Sequence, residues 1–150
     1  MIKRNRHAIA LGIIVALAVT PALSGCSLVK NTIQNATGGQ VDVGGKSVPD
    51  NFPKDAVPLI DGEVVYGGGV TTKDGSAWNV TIKVKDVSAF DTIKSQLEGA
   101  GFTSPDGLGG STGDGATGAW DNDKFTVVVV LTKDGDKGFI ANYSVATKAP

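Results

Sequence analysis

Residues 124–147, KFTVVVVLTKDGDKGFIANYSVAT, contain two apolar runs on either side of a short polar turn. Every second residue of each run is apolar, which is the period of a β-strand with one buried face. That face is expected to carry Phe125, Val127, Val129, Leu131, Phe139, Ala141, Tyr143 and Val145. Val128 and Val130 make the opposite face of the first run apolar as well, as is typical of a central strand. Asp134-Gly135 favours a tight turn, so the stretch predicts an antiparallel hairpin.

A second hairpin is predicted upstream of the first. Residues 77–85 (AWNVTIKVK) alternate apolar and polar side chains, which predicts a strand with one buried and one hydrated face. Residues 63–72 (EVVYGGGVTT) are the preceding strand, and residues 73–76 (KDGS) the turn. Glycines at positions 67–69 indicate a bulge or the close approach of another backbone.

Between the hairpins, residues 88–100 (SAFDTIKSQLEGA) change to the helical period. One apolar stripe with spacings of three and four contains Phe90, Ile93 and Leu97. Ser88 is expected to cap the amino end of this helix, because its hydroxyl can accept a bond from a free backbone N–H group. Gly99 and Gly101 favour the end of the helix, since glycine adopts left-handed geometry without strain.

The remaining segments are expected to be irregular. Residues 51–61 (NFPKDAVPLID) contain two prolines, which favour an extended chain along the edge of the domain. The packing residues of this segment are expected to be Phe52, Val57, Leu59 and Ile60. Residues 104–118 (SPDGLGGSTGDGATG) are rich in glycine and predict a loop, which is followed by a short strand at Trp120.

The order ββαβββ predicts a two-layer α+β domain over residues 51–150. Since hairpins dominate, we expect a mainly antiparallel sheet of about five strands, with one helix packed on one face. Roughly one hundred residues can bury an adequate core without disulfide bonds.

The amino-terminal residues have the pattern of an export signal. Lys3, Arg4, Arg6 and His7 form a basic start, and residues 8–23 are an uncharged, mostly apolar run. A membrane-spanning helix needs ~20 apolar residues, and this run is shorter and contains Pro21. Residues 1–25 are therefore expected to be a cleaved signal peptide, the alternative being an uncleaved membrane anchor.

Leu23-Ser24-Gly25-Cys26 follows the apolar run directly and resembles the lipobox of bacterial lipoproteins. The resemblance implies cleavage between Gly25 and Cys26, a diacylglyceryl thioether on the Cys26 sulfur, and optional acylation of the new amino terminus. The alternative is a free structural thiol. Acylation would place the protein on the outer, extracytoplasmic face of the cell membrane, attached through lipid rather than through a spanning helix.

Residues 26–50 are small and polar and contain two Gly-Gly pairs, so we expect a flexible tether between the lipid and the domain. Residues 41–43 (VDV) are the one place where a short edge strand is considered. The tether would hold the domain away from the lipid headgroups.

The mature chain excludes several classes of function. It carries 11 lysines, no arginine and 15 acidic residues, which gives a net charge of −4. This composition disfavours binding to nucleic acid, which needs a basic surface and commonly uses arginine. His7, the only histidine, would be removed with the predicted signal, and Cys26, the only cysteine, would be acylated as the lipobox resemblance implies. A Ser-His-Asp triad, a Cys-His pair and a zinc site built on His or Cys are therefore excluded, and no metal or cofactor is expected.

Acidic and aromatic residues supply the remaining candidates for a site. Asp121 with Asp123, and Asp134 with Asp136, could bind calcium, but turns are the expected role. The two glutamates, Glu63 and Glu98, would be needed for a carboxylate-only hydrolase and are expected at the surface. Four aromatic residues are expected mainly in the core, with a ligand groove as the alternative: Tyr66, Trp78, Trp120 and Tyr143.

Residues 48–78, together with the motif LEGAGF at the end of the helix, look like small uncharacterised lipoproteins of high-GC Gram-positive bacteria. This resemblance implies one extracytoplasmic domain and assigns no catalytic residue. The expected function is a non-enzymatic binding or scaffolding module, whose partners are membrane lipid through Cys26 and an envelope protein or other envelope component. The alternatives are a small-ligand carrier or sensor accessory with a pocket between helix and sheet, and a carboxylate-only hydrolase.

Overall fold

The computed structural model describes residues 39–105 and 108–148. The predicted signal peptide, the lipid attachment at Cys26 and most of the predicted tether lie outside these residues. The elements in chain order are β1 (Gln40–Gly45), β2 (Glu63–Thr72), β3 (Gly75–Val84), α1 (Ala89–Gly99), β4 (Gly109–Thr112), β5 (Gly115–Asp121), β6 (Phe125–Lys133) and β7 (Phe139–Thr147).

All strands belong to one antiparallel sheet with the order β1-β2-β3-β7-β6-β5-β4. The first three strands form one group and the last four another, and within each group strands that follow one another in the chain are neighbours in the sheet. The two groups meet where β3 pairs with β7 in the middle of the sheet. The predicted α+β class, with an antiparallel sheet and one helix, is therefore confirmed for the described residues.

The sheet has seven strands rather than about five, because two edge strands were not counted. Residues 109–118, predicted as part of a glycine-rich loop, form β4 and the start of β5, and this part of the loop prediction is wrong. All four residues of β4 are exposed, so pairing with β5, rather than burial of side chains, holds this strand in place.

The other edge strand begins at Gln40, within the segment predicted as a tether. The edge strand considered over residues 41–43 is thus present, and β1 pairs with the glycine-rich part of β2. Glycine permits this arrangement because it has no side chain: a Cβ on Gly67 would lie 2.0 Å from the carbonyl oxygen of Ser47. The close backbone approach predicted for the glycines at 67–69 is confirmed.

A bulge at Val65 changes which face of the sheet the next side chain occupies. Val64 pairs with Ile82 and Tyr66 pairs with Thr81, so Val65 is an extra residue in β2. Simple alternation would put Tyr66 on the same face as Val64, and the bulge moves it to the opposite face.

The core lies on one face of the sheet, beneath α1 and the segment 51–60. The predicted helical stripe, Phe90, Ile93 and Leu97, is buried, as are Phe52 and Val57 of the preceding segment. The strands supply the larger set of buried side chains on this face, which includes Trp78, Val80, Ile82, Trp120, Val127, Val129, Leu131, Tyr143 and Val145.

Ser88 occupies the N-cap position of α1, but its side chain does not cap the helix. Instead its backbone N–H, at 2.9 Å, and its hydroxyl both donate to Asp86 Oδ1. These two hydrogen bonds lower the pKa of the exposed Asp86 carboxyl, since they favour its charged form. At the other end of the helix, Gly101 has the predicted left-handed geometry, with φ of 86°.

Tyr143 leads to a prediction about alkaline stability. Burial raises its pKa far above its usual value of 10.0, and the Ile60 N–H, which donates to Tyr143 Oη at 3.1 Å, offsets only part of that shift. The unfolded chain ionises Tyr143 above about pH 10 while the folded chain does not. We therefore expect full stability from this group below pH 10 and a loss of about 1.4 kcal/mol per pH unit above it.

Urea unfolding between about pH 9 and 11.5 checks this expectation, with Tyr143→Phe as the matched control. The variant should lose about 1 kcal/mol at neutral pH, because the Ile60 N–H loses its acceptor. Its free energy of unfolding should also decrease less steeply with pH above about pH 10 than that of the parent chain. Equal slopes in the two chains would contradict the prediction.

Candidate functional site on the open sheet face

The second face of the sheet is not covered by α1 or by residues 51–60. Alternation and register place on it the side chains opposite to the core set, and three of them are large and well exposed: Tyr66 at 46%, Val128 at 37% and Val130 at 40%. We call this surface the open face. The predicted central position of β6 is confirmed, but the face that carries Val128 and Val130 is exposed rather than buried.

Two asparagines form the middle of the open face, on the paired central strands β3 and β7. Asn79 and Asn142 exchange two hydrogen bonds between their side-chain amides, at 3.1 and 2.9 Å. Each amide also donates to a hydroxyl, Asn79 to Ser144 at 3.1 Å and Asn142 to Thr81 at 2.8 Å. Because these groups pair with one another, covering them removes fewer hydrogen bonds to water than covering unpaired amides would.

A groove with a volume of about 660 Å³ runs along the open face beside these asparagines. Its apolar lining comes from β1, β2, β3, β6 and β7 and consists mainly of Val41, Tyr66, Val70, Ala77, Val128 and Ala146. The groove is broad and open to solvent, and it crosses the junction between the two groups of strands.

The Tyr66 ring forms one side of the groove and packs against the backbone of two glycines. A Cβ on Gly44 would come within 2.2 Å of the Tyr66 ring, and one on Gly68 within 2.9 Å of its hydroxyl. The two glycines therefore leave the space that the ring occupies, and the bulge at Val65 directs the ring to this face.

The groove lining contains one charged residue, Asp42. Asp42 is paired with Gly69, which in turn faces Trp78, so alternation directs its side chain toward the helix-covered face. Glu63 and Lys83 pair on the open face but lie outside the groove lining. The groove therefore presents an uncharged surface.

A second cavity, of about 400 Å³, lies between α1 and the β4–β5 hairpin. A pocket between helix and sheet was part of the small-ligand carrier alternative, and this cavity is the one that adjoins the helix. Its helical wall carries Asp91, Lys94 and Glu98, and the Lys94 ammonium lies 3.9 Å from the Glu98 carboxylate. Both side chains of this pair are about half exposed, so the cavity is a hydrated, charged cleft.

The candidates named from the sequence do not come together. Glu63 lies on the open face and Glu98 on the helix, so the sheet separates the two carboxylates and they form no catalytic pair. Trp78, Trp120 and Tyr143 are buried on the helix-covered face, as expected for core aromatics.

The two pairs of aspartates considered for calcium binding lie at turns and make the contacts expected of turn residues. Asp121 binds Lys148, with 3.0 Å between carboxylate oxygen and ammonium nitrogen, and Asp134 accepts a backbone bond from Lys137 at 2.9 Å. Asn122, between the first pair of aspartates, accepts two backbone N–H groups through its side chain. Within residues 39–105 and 108–148, no three metal-ligating side chains cluster.

The sequence interpretation missed the asparagine pair and the exposed valines. Asn79 was assigned to the hydrated face of its strand, but its partner Asn142 lies 63 residues away and no local pattern links them. Val128 and Val130 carried a signal, an apolar run on both faces, that was interpreted only as the mark of a central strand.

In the part of the chain that the structure describes, no helix is both long enough and apolar enough to cross a membrane. A comparison with protein-family models, with curated proteins and with solved structures finds no match to this chain.

Proposed function

We propose that this protein is a lipid-anchored extracytoplasmic lipoprotein whose domain is a non-enzymatic binding module of the cell envelope. The observation that carries the proposal is the apolar groove on the uncovered face of the sheet. In this proposal Cys26 holds the chain at the outer face of the membrane, and the open face contacts an envelope protein or another envelope component.

The composition of the open face supports a binding role. Scattered exposed valines are ordinary on a protein surface, but Val41, Val70 and Val128 line one continuous groove. The amide groups of Asn79 and Asn142 already bond to each other and to neighbouring hydroxyls, so they can be covered at modest cost. A surface of this kind gains free energy when apolar groups of a partner cover it.

A small-ligand carrier is the second candidate function, and the size of the groove favours it. Ligand pockets commonly have volumes of roughly 300–1,000 Å³ and mostly apolar linings with a few polar groups. The groove, at about 660 Å³, fits this range, and Asn79 and Ser144 supply polar groups at its side. The hydrolase alternative has no comparable support, because Glu63 and Glu98 lie on opposite sides of the sheet.

A photocrosslinking experiment in intact cells tests the binding role. A benzophenone amino acid replaces Val128 on the open face in one strain, and Ser95 on the exposed side of α1 in a second strain. After irradiation, we expect a covalent adduct from position 128 and none from position 95, measured by mass spectrometry of the purified full chain. An adduct yield at position 95 equal to that at position 128 would contradict the proposal.

A further inference from the structure

We propose that the groove on the open face binds an acyl chain of a free lipid from the membrane to which the protein is anchored. This inference rests on the proposed function, because it takes the groove as the binding surface and Cys26 as the anchor. It adds the chemical class of the ligand, which the proposed function leaves open.

The chemistry of the lining selects an uncharged, apolar ligand. Val41, Val70 and Val128 form the walls, and Ala77 and Ala146 leave a smooth floor between them. The nearest charged side chains on this face are Asp121, which pairs with Thr126 of the lining, and Lys148, two residues after Ala146. They lie outside the lining and form an ion pair with each other, with 3.0 Å between carboxylate oxygen and ammonium nitrogen. A charged or strongly polar ligand would lose hydration here without gaining a partner, whereas each methylene group buried contributes roughly 0.8 kcal/mol.

The polar middle of the face is compatible with a hydrocarbon chain. Asn79 and Asn142 satisfy each other, and Thr81 and Ser144 accept their remaining N–H groups. An acyl chain that covers this row leaves its donors and acceptors paired, so the usual penalty for burying amides beside hydrocarbon is largely avoided. Ligands that recognise free side-chain amides, such as sugars, would have to break these bonds first.

The connection to the membrane also places lipid near the groove. β1 supplies Val41 to the groove wall and is the first strand of the described chain after Cys26. Gln40 follows Cys26 by 14 residues, and a chain of that length reaches at most ~50 Å. Of the described elements, the one at the shortest chain distance from the proposed lipid anchor thus forms part of the groove.

A lipid-labelling experiment with a matched pair of variants tests this inference. Cells that produce the full chain incorporate a diazirine-bearing fatty acid into their membrane lipids and are then irradiated. The chain is purified and digested, and lipid adducts are located by mass spectrometry. We compare the parent chain with Val128→Glu, inside the groove, and with Val130→Glu, on the same strand and face but outside the lining.

We expect adducts with the mass of a free lipid in the peptides that carry the groove lining. The yield should fall about tenfold in Val128→Glu, because an unpaired carboxylate then lies against hydrocarbon. In Val130→Glu it should stay within about twofold of the parent, since Val130 has a similar exposure but does not line the groove. Melting temperatures of both variants that equal the melting temperature of the parent chain would show that folding is unaffected.

Three other outcomes overturn the inference in distinguishable ways. Adducts that join the groove to the peptide of Cys26 would show that the occupant is the protein's own anchor. A protein adduct at position 128 without lipid adducts would exclude lipid as the ligand and would still agree with the proposed binding module. No capture of any kind by the open face would overturn both the inference and the proposed function.

Discussion

A chain in which Cys26 is replaced by alanine is expected to carry no acyl lipid at position 26 and to keep residues 1–25 uncleaved. The thiolate is the nucleophile that attacks the lipid donor, and alanine has none. Each acyl methylene contributes ~0.8 kcal/mol to membrane binding, so two or three acyl chains would supply most of the attachment of a chain that has been cleaved. The measurements are incorporation of labelled palmitate, the mass of the chain, and its distribution between membrane and soluble fractions.

Ser27→Ala is the matched control for this experiment, since it alters the neighbouring residue and leaves the sulfur in place. It should be acylated, cleaved and retained like the parent. The lipoprotein proposal fails if the Cys26→Ala chain is cleaved normally and retained on the membrane to the same extent as the parent.

Replacement of Trp78 by alanine is expected to lower the free energy of unfolding by about 3–5 kcal/mol. The indole is 7% exposed and packs edge to face against Phe52, with ring centroids 6.0 Å apart, and against Phe125 at 6.4 Å. Its Nε1–H donates to the side-chain oxygen of Asn51 at 3.0 Å. Trp78 thus joins β3, β6 and the segment that begins at residue 51, and alanine would leave a cavity among them.

Trp78→Phe separates the contribution of the ring from that of the hydrogen bond. It keeps an aromatic ring in the core and removes the indole N–H, and Asn51 is exposed and can bond to water instead. We expect this variant to lose clearly less stability than Trp78→Ala in urea unfolding. A loss below about 1 kcal/mol in Trp78→Ala would show that the packing of residues 51–60 against the sheet does not hold in solution.

Much of the architecture could be predicted, because periodicity is a local property. The alternation in β3, β6 and β7 and the helical stripe of α1 each lie within about ten residues, and the structure has all four elements. The strand β4 could not be predicted in this way. Its sequence, Gly109–Thr112, has neither alternation nor a buried side chain, and only its pairing with β5 makes it a strand.

The candidate site was less predictable, because it depends on which face of the sheet other elements cover and not on a local sequence pattern. Alternation tells which residues share a face with Val128, but it does not tell whether another element covers that face. Among the described residues, a helix of 11 residues and the segment 51–60 cover one side of the seven-stranded sheet, and no other described element covers the second side. The face occupied by Tyr66 could not be predicted either, because the extra residue Val65 shifts the alternation of β2 by one residue.

The pairing of β3 with β7 has a consequence for the order of events during biosynthesis. The strand at the centre of the sheet, β7, is also the last of the described strands, and the side chains of Thr81 and Asn142 that meet there are 61 residues apart. Contacts between such distant residues form late, because a long loop must close first. An emerging chain that lacks β7 has two separate groups of strands and an unsealed core. For a protein that we propose to be exported, such late closure would keep the polypeptide unfolded and suited to passage through a narrow channel until β7 has been made.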